Sequence, residues 1–138
     1  MRHLLFLLAL ASATSACAAA SEEVLQARQK LSHYALATCL AEAYPEEPRF
    51  TDDARRAAGA YHFMGRGAHR IVQDEDTLDV VHDPYATVKE YILQAVTAEP
   101  AIMKQGGANA VAGCLQAVST AEFQALVRDQ DGYIALQD

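Results

Sequence analysis

Residues 21–43 read SEEVLQARQKLSHYALATCLAEA, and their spacing decides the fold. Val24, Leu25, Leu31, Ala35, Leu36, Cys39 and Leu40 gather on one broad face of a helix, while Gln26, Lys30, His33 and Glu42 fall mostly outside it. The stretch predicts one long helix. Tyr44-Pro45-Glu46-Glu47-Pro48 ends it, because two prolines forbid continuation.

Downstream, the same punctuation repeats. Thr51-Asp52-Asp53 is the expected start of a second helix, with capping residues and acids in its first turn. Ala54, Ala57, Ala58, Gly59, Ala60 and Tyr61 follow, small side chains that let a neighbour approach closely, and Gly65-Arg66-Gly67 is the expected stop. A third segment, residues 68–81, offers Ile71, Val72, Leu78 and Val81 as core positions and carries Asp74, Glu75, Asp76 and Asp79. Such an acidic run ordinarily marks a solvated face.

Asp83-Pro84 opens a helix expected to run to about Val96 through Val88, Ile92 and Ala95. Residues 100–104 are expected to add a helical turn before Gln105-Gly106-Gly107 breaks it. Asn109 caps the next predicted helix, with Val111, Cys114, Leu115 and Val118 on one side. Ser119-Thr120-Ala121-Glu122 reads as a capping box for a last helix bearing Phe123, Leu126 and Val127, closed by Asp131-Gly132. The predicted fold class is all-α: a bundle of five to six helices in a single domain over residues 21–138.

Upstream lies a different kind of sequence. Met1-Arg2-His3 is basic, residues 4–10 are apolar, and residues 11–20 are small and mostly uncharged, the pattern of a secretory leader over residues 1–20. The apolar run is far shorter than the roughly 20 residues a membrane span needs. Two processing sites compete. Ala18-Ala19-Ala20 fits a cut before Ser21, whereas Thr14-Ser15-Ala16-Cys17 resembles a lipoprotein box that would lipidate Cys17, with Thr14 where leucine is usual. The expectation is a periplasmic protein with no membrane span.

Composition agrees with a small helical domain. Of 138 residues, 51% are hydrophobic and 21% charged, Trp is absent and aromatics make up 7%, so the core must be built from Ala, Leu and Val. The net charge of -7 lacks the basic footprint of a nucleic-acid binder and disfavours anionic lipid, but would draw in a basic protein partner. Outside the cytoplasm, Cys39 and Cys114 form an even pair and favour a disulfide; the alternative is two buried thiols acting as small hydrophobes.

No pattern for chemistry emerges. His33, His62, His69 and His82 form no helical i, i+4 pair, and no H-E-x-x-H, C-x-x-C or G-x-S-x-G is present. His62 and His69 flank the Gly65-Arg66-Gly67 turn and read as surface or partly buried residues. Both cysteines fall within predicted helices, away from the N-termini that poise a thiolate. The expectation is a binding protein with no enzyme activity, no metal and no cofactor.

Three stretches together carry a resemblance: Tyr34-Ala35-Leu36-Ala37-Thr38-Cys39-Leu40-Ala41-Glu42-Ala43-Tyr44, then Asp53 and the small-residue run to Tyr61, then Gly113-Cys114-Leu115-Gln116-Ala117-Val118-Ser119 followed by Glu122-Phe123-Gln124-Ala125-Leu126-Val127. This arrangement resembles the immunity proteins that neutralise type VI secretion amidase effectors of the fourth group. Val118 stands where relatives are expected to carry an aromatic side chain.

The resemblance implies a periplasmic helical homodimer that plugs the active site of a cysteine amidase of the NlpC/P60-like class, an enzyme that cuts peptidoglycan stem peptides. Another envelope enzyme inhibitor, or an envelope structural factor, is the alternative. The expected plug is Met103, Lys104, Gln105, Gly106, Gly107 and Asn109, since glycine allows close backbone approach to a cleft. The second expected contact is the acidic stretch Asp74, Glu75 and Asp76, with Asp52 and Asp53, which would speed encounter with a basic toxin.

Overall fold

A computed structural model describes residues 20–135, so residues 1–19 of the expected leader, Cys17 among them, lie outside the described residues. Its order is α1 (Glu22–Ala43), α2 (Pro48–Tyr61), β1 (Val72–Gln73), β2 (Val80–His82), α3 (Pro84–Ala98), α4 (Ala110–Ser119), α5 (Ala121–Asp129) and a 3-10 turn, η1 (Asp131–Tyr133).

The first helix follows its sequence closely. Ser21 is the N-cap, its hydroxyl accepting from the Val24 amide, and Glu22 and Glu23 oppose the positive end of the helix dipole. Small residues dominate its buried set: Ala27, Leu31, Ala35, Ala37, Thr38, Cys39 and Ala41. That set spreads around much of the circumference because α2, α3, α4 and α5 all pack on α1. Leu25, expected on the inner face, remains 49% exposed.

The chain turns tightly from α1 into α2. The Tyr44 carbonyl accepts from the Glu47 amide at 3.1 Å and from the Thr51 hydroxyl at 2.5 Å. Helix α2 therefore begins at Pro48, earlier than the Thr51-Asp52-Asp53 start expected from capping chemistry. Pro48 suits a first helical turn, where no amide donor is needed. Thr51 does not cap; it is buried and ties the helix to the turn. Helix α2 also ends at Tyr61, before the glycines, and residues 62–67 form a hydrogen-bonded loop instead.

The fold is mostly helical but not strictly all-α. Residues 72–82 form a two-stranded antiparallel hairpin, pairing Val72 with His82 and Gln73 with Val80 across an irregularity. Leu78 and Val81 are consequently 69% and 65% exposed, not core residues. The reason is local: Asp74 Oδ1 accepts from the Asp76 and Thr77 amides, and the Asp74 amide donates to the Asp79 carbonyl. That Asx turn reverses the chain and carries the segment outward.

A second hairpin replaces the helical turn expected over residues 100–104. Ile102 and Ala108 form an isolated antiparallel bridge, and the Gly106 amide donates to the Met103 carbonyl across the turn.

Asp83 and Asn109 cap α3 and α4 as expected, but the last helix is capped by Thr120, whose hydroxyl accepts from Phe123; Ser119 is still the end of α4. The core joins Leu31, Ala35 and Cys39 of α1 to Tyr85, Val88 and Ile92 of α3, Cys114 and Ala117 of α4, and Phe123 and Val127 of α5. The Cys39–Cys114 disulfide crosses it, with Cα atoms 5.8 Å apart and a sequence separation of 75.

Cross-linking so distant a pair restricts the unfolded chain by about 4 kcal/mol on the loop-entropy account. Replacing both cysteines by alanine is expected to lower unfolding free energy by about 2–4 kcal/mol. Urea unfolding of the variant, and of the parent under dithiothreitol, measures it; equal midpoints with and without the bridge would refute the role.

Candidate functional site

Two hairpins protrude from the helical body, and α3 separates them. The acidic hairpin ends at its N-terminus and the glycine hairpin begins past its C-terminus. With 15 residues, α3 places their roots about 22 Å apart along its axis. The residues expected to meet a partner are therefore not brought into one patch.

The glycine hairpin is built by backbone bonds. The Met103 amide donates to Gly107 at 3.0 Å, the Gly106 amide to Met103 at 2.9 Å, and the Asn109 amide to Ala101 at 2.9 Å. Gly106 and Gly107 have φ of 85° and 83°, a region where a Cβ is strained, and open space surrounds both. Met103, Lys104, Gln105, Gly106 and Gly107 are all exposed, and Ile102 is 67% exposed beside them. Asn109 belongs to the support instead of the tip: half-buried, it caps α4 by accepting from the Ala112 amide at 2.9 Å.

Beneath this hairpin lies a groove of about 340 Å³, with Cys39, Ala43, Val96, Ala101, Asn109 and Cys114 among its walls. The disulfide thus sits directly under the hairpin's roots. Helix α4 leads straight from the hairpin to Cys114, which is bonded to α1.

The acidic hairpin is organised by one of its own carboxylates. Asp74 is held below its ordinary range chiefly by the Thr77 amide, then by the Asp76 amide and the Thr77 side chain. Asp74 is therefore a turn-former, which leaves the exposed Glu75, Asp76 and Asp79 as the charges offered to solvent. Exposed Leu78, Val80 and Val81 lie beside them. Leu78 adopts φ of 62°, unusual for a leucine, with its amide donating to the Asp74 carbonyl. Asp52 and Asp53 are exposed on α2, a separate element.

The histidines read from the sequence sort differently. His62 lies against Tyr85, with ring centroids 4.5 Å apart, and His33 meets Tyr61 edge-on at 5.0 Å. His69, expected at or near the surface, is only 2% exposed. Its position follows from Tyr85, whose hydroxyl accepts from the His69 amide and donates to the His69 carbonyl. Gly67 makes this approach possible, because a Cβ there would collide with Tyr85 and the His62 backbone. Gly67, two residues earlier, was the sequence clue to the burial of His69.

Among the described residues, no group of three or more His, Cys, Asp and Glu side chains could hold a metal ion. Nor is any single helix there long and apolar enough to cross a membrane. Val118 is half-buried against the core, so it contributes packing from the position where an aromatic was expected.

These features define a disulfide-braced helical domain that presents two short, backbone-ordered hairpins at opposite ends of one helix. The family model for Tai4, a type VI secretion system (T6SS) amidase immunity protein, matches residues 29–127, from early α1 to late α5. The chain belongs to this amidase immunity family. No curated protein and no solved structure matches it.

Leu78→Asn is expected to raise stability by up to about 1 kcal/mol, because asparagine tolerates the left-handed region and little apolar burial is lost. Thermal unfolding checks this; a lower melting temperature would show that the leucine side chain stabilises the hairpin after all.

Proposed function

We propose that this protein acts in the periplasm, where it binds a cognate type VI secretion amidase and occludes its active-site cleft with the glycine hairpin. The carrying observation is the hairpin itself: exposed, narrow, closed by its own backbone bonds and rooted over the Cys39–Cys114 disulfide. A plug of this kind loses little entropy on docking, because its conformation is set before binding. Gly106 and Gly107 keep its trailing edge free of side chains, so backbone can come close to a catalytic centre.

The target in this reading is a cysteine amidase of the NlpC/P60-like class acting on peptidoglycan stem peptides. Inhibition needs no chemistry from the immunity protein. Met103, Lys104 and Gln105 exclude substrate by filling the cleft, and desolvation of the hairpin edge supplies affinity. Export through the leader, residues 1–20, delivers the folded domain, residues 21–138, to the compartment where the disulfide forms; Cys17 is either removed with the leader or lipidated. Homodimerisation belongs to the same reading, supported by exposed Val111 and Leu115 one turn apart on α4.

The acidic hairpin has a separate part. Glu75, Asp76 and Asp79 attract a basic face of the effector and speed encounter, an effect confined to their own end of the molecule. Fields are screened within about 8 Å at physiological salt, and the glycine hairpin is about 22 Å away along α3.

Co-expression with the periplasm-directed amidase from the neighbouring gene tests the function, rescue from lysis being expected. In the purified pair, Lys104→Glu with Gln105→Glu should weaken inhibition by about tenfold or more with an unchanged melting temperature. Inhibition as tight as the parent's would remove the glycine hairpin from the mechanism. Separately, Glu75→Lys with Asp76→Lys should slow association and flatten its salt dependence while leaving dissociation nearly unchanged. An unaltered on-rate at low salt would count against steering.

A further inference from the structure

The acidic hairpin cannot hold its own position. Its strands span two and three residues, too little for an independent sheet. Its roots are fastened to the far end of the chain. On the β1 side, the Arg70 amide donates to the Tyr133 carbonyl at 2.8 Å, and the Ala135 amide donates to the Ala68 carbonyl at 2.8 Å. On the β2 side, His82 Nε2 donates to Gln130 Oε1 at 2.7 Å, and its ring stacks on Tyr133 with centroids 3.9 Å apart. Arg28 of α1 secures the same segment through its ion pair with Asp131. Residues 130–135 therefore clasp both roots at once.

Directly within this clasp sits His69, bridged through its backbone to Ile134. Its ring is buried, and neither Nδ1 nor Nε2 has a hydrogen-bond partner. Burial of two unpaired ring nitrogens tolerates a neutral imidazole far better than a charged one. The groups around it offer little relief. Tyr85 of α3 uses its hydroxyl on the His69 backbone, and His62 at the end of α2 lies on the Tyr85 ring. Asp131 of η1 is engaged by Arg28 of α1, with Arg128 of α5 also acting on it. His82, on β2, is turned to Gln130, whose Nε2 donates to the Leu126 carbonyl and whose Oε1 faces His82 Nε2.

We propose that residues 130–135 form an acid-released clasp that fixes the pose of the acidic hairpin, with the buried His69 imidazole as its proton sensor. Burial lowers the His69 pKa from 6.5 to about 4, with Asp131 opposing weakly. Opening of the clasp returns the ring to water and to its ordinary value. The open form then binds more protons than the closed form between pH 6.5 and about 4. The closed state is fully favoured above pH 6.5 and loses that advantage as pH falls toward 4. At the limit, the opening constant rises about tenfold per pH unit across this window.

Hydrogen exchange of the mature protein alone, from about pH 7.5 to about pH 4.5 and corrected for intrinsic rates, reads this directly. Arg70 and Ala135 amides are expected to lose protection by up to about tenfold per pH unit below 6.5, while α1 and α3 amides keep theirs. In His69→Phe, which fills the site without titrating, the Arg70 and Ala135 protection should be independent of pH.

Clasp amides that stay protected at the acid limit overturn the proposal. So does equal acid release in His69→Phe, or release only together with the helices. Should that variant fail to fold, an NMR titration placing the wild-type His69 ring at the ordinary histidine value is equally decisive against it. The readouts need no amidase, so they stand apart from the immunity function.

Discussion

Every other helix packs on α1, and that single constraint sets the rest of the molecule. A helix covered on several sides cannot carry a narrow apolar stripe backed by charge. It needs small residues where neighbours cross closely, and Ala27, Ala35, Ala37 and Ala41 occupy such positions. Cys39 belongs to the same economy of volume: it is 1% exposed, small enough for α4 to lie close, and bonded there to Cys114. The disulfide thus extends a contact that packing has already made, and the glycine hairpin inherits its placement from it.

Much of this was legible in the sequence because helix signals are local. Ser21, Asp83 and Asn109 each cap the helix that follows them, and Asp83-Pro84 marks the start of α3 without ambiguity. The cysteine pair was legible through compartment and parity. The failures occur where a competing local interaction decides. Asp74 belonged to an acidic run that looked like a solvated face, yet its carboxylate binds two backbone amides and reverses the chain. Once that turn forms, residues 73–81 are all exposed, and Leu78 and Val81 move from the expected core to the surface.

Other features were hidden because they are tertiary. The Thr51 hydroxyl looked like a cap, but its bond runs back to the Tyr44 carbonyl. His69 shows no unusual neighbours in sequence; its burial depends on Tyr85, 16 residues away, and on Gly67 leaving room for the phenol. Tyr133 and Ala135, beyond the expected end of the last helix, bond to Arg70 and Ala68, more than 60 residues earlier. Of the residues expected to meet a partner, Asn109 and Asp74 are absorbed into building the hairpins, which leaves Lys104, Gln105, Glu75 and Asp76 free to be read by another molecule.

The two hairpins are braced by different means. At one end of α3, covalent closure between α1 and α4 restrains the glycine hairpin, and nothing titratable within the disulfide responds to pH. At the other end, the acidic hairpin relies on hydrogen bonds to the C-terminal segment and on a buried imidazole that must stay neutral. The two braces lie about 22 Å apart along α3, so substitutions at the two ends should act nearly independently. The glycine hairpin is thus rooted over a covalent brace, while the charged hairpin hangs on hydrogen bonds and ring stacking with the C-terminal segment.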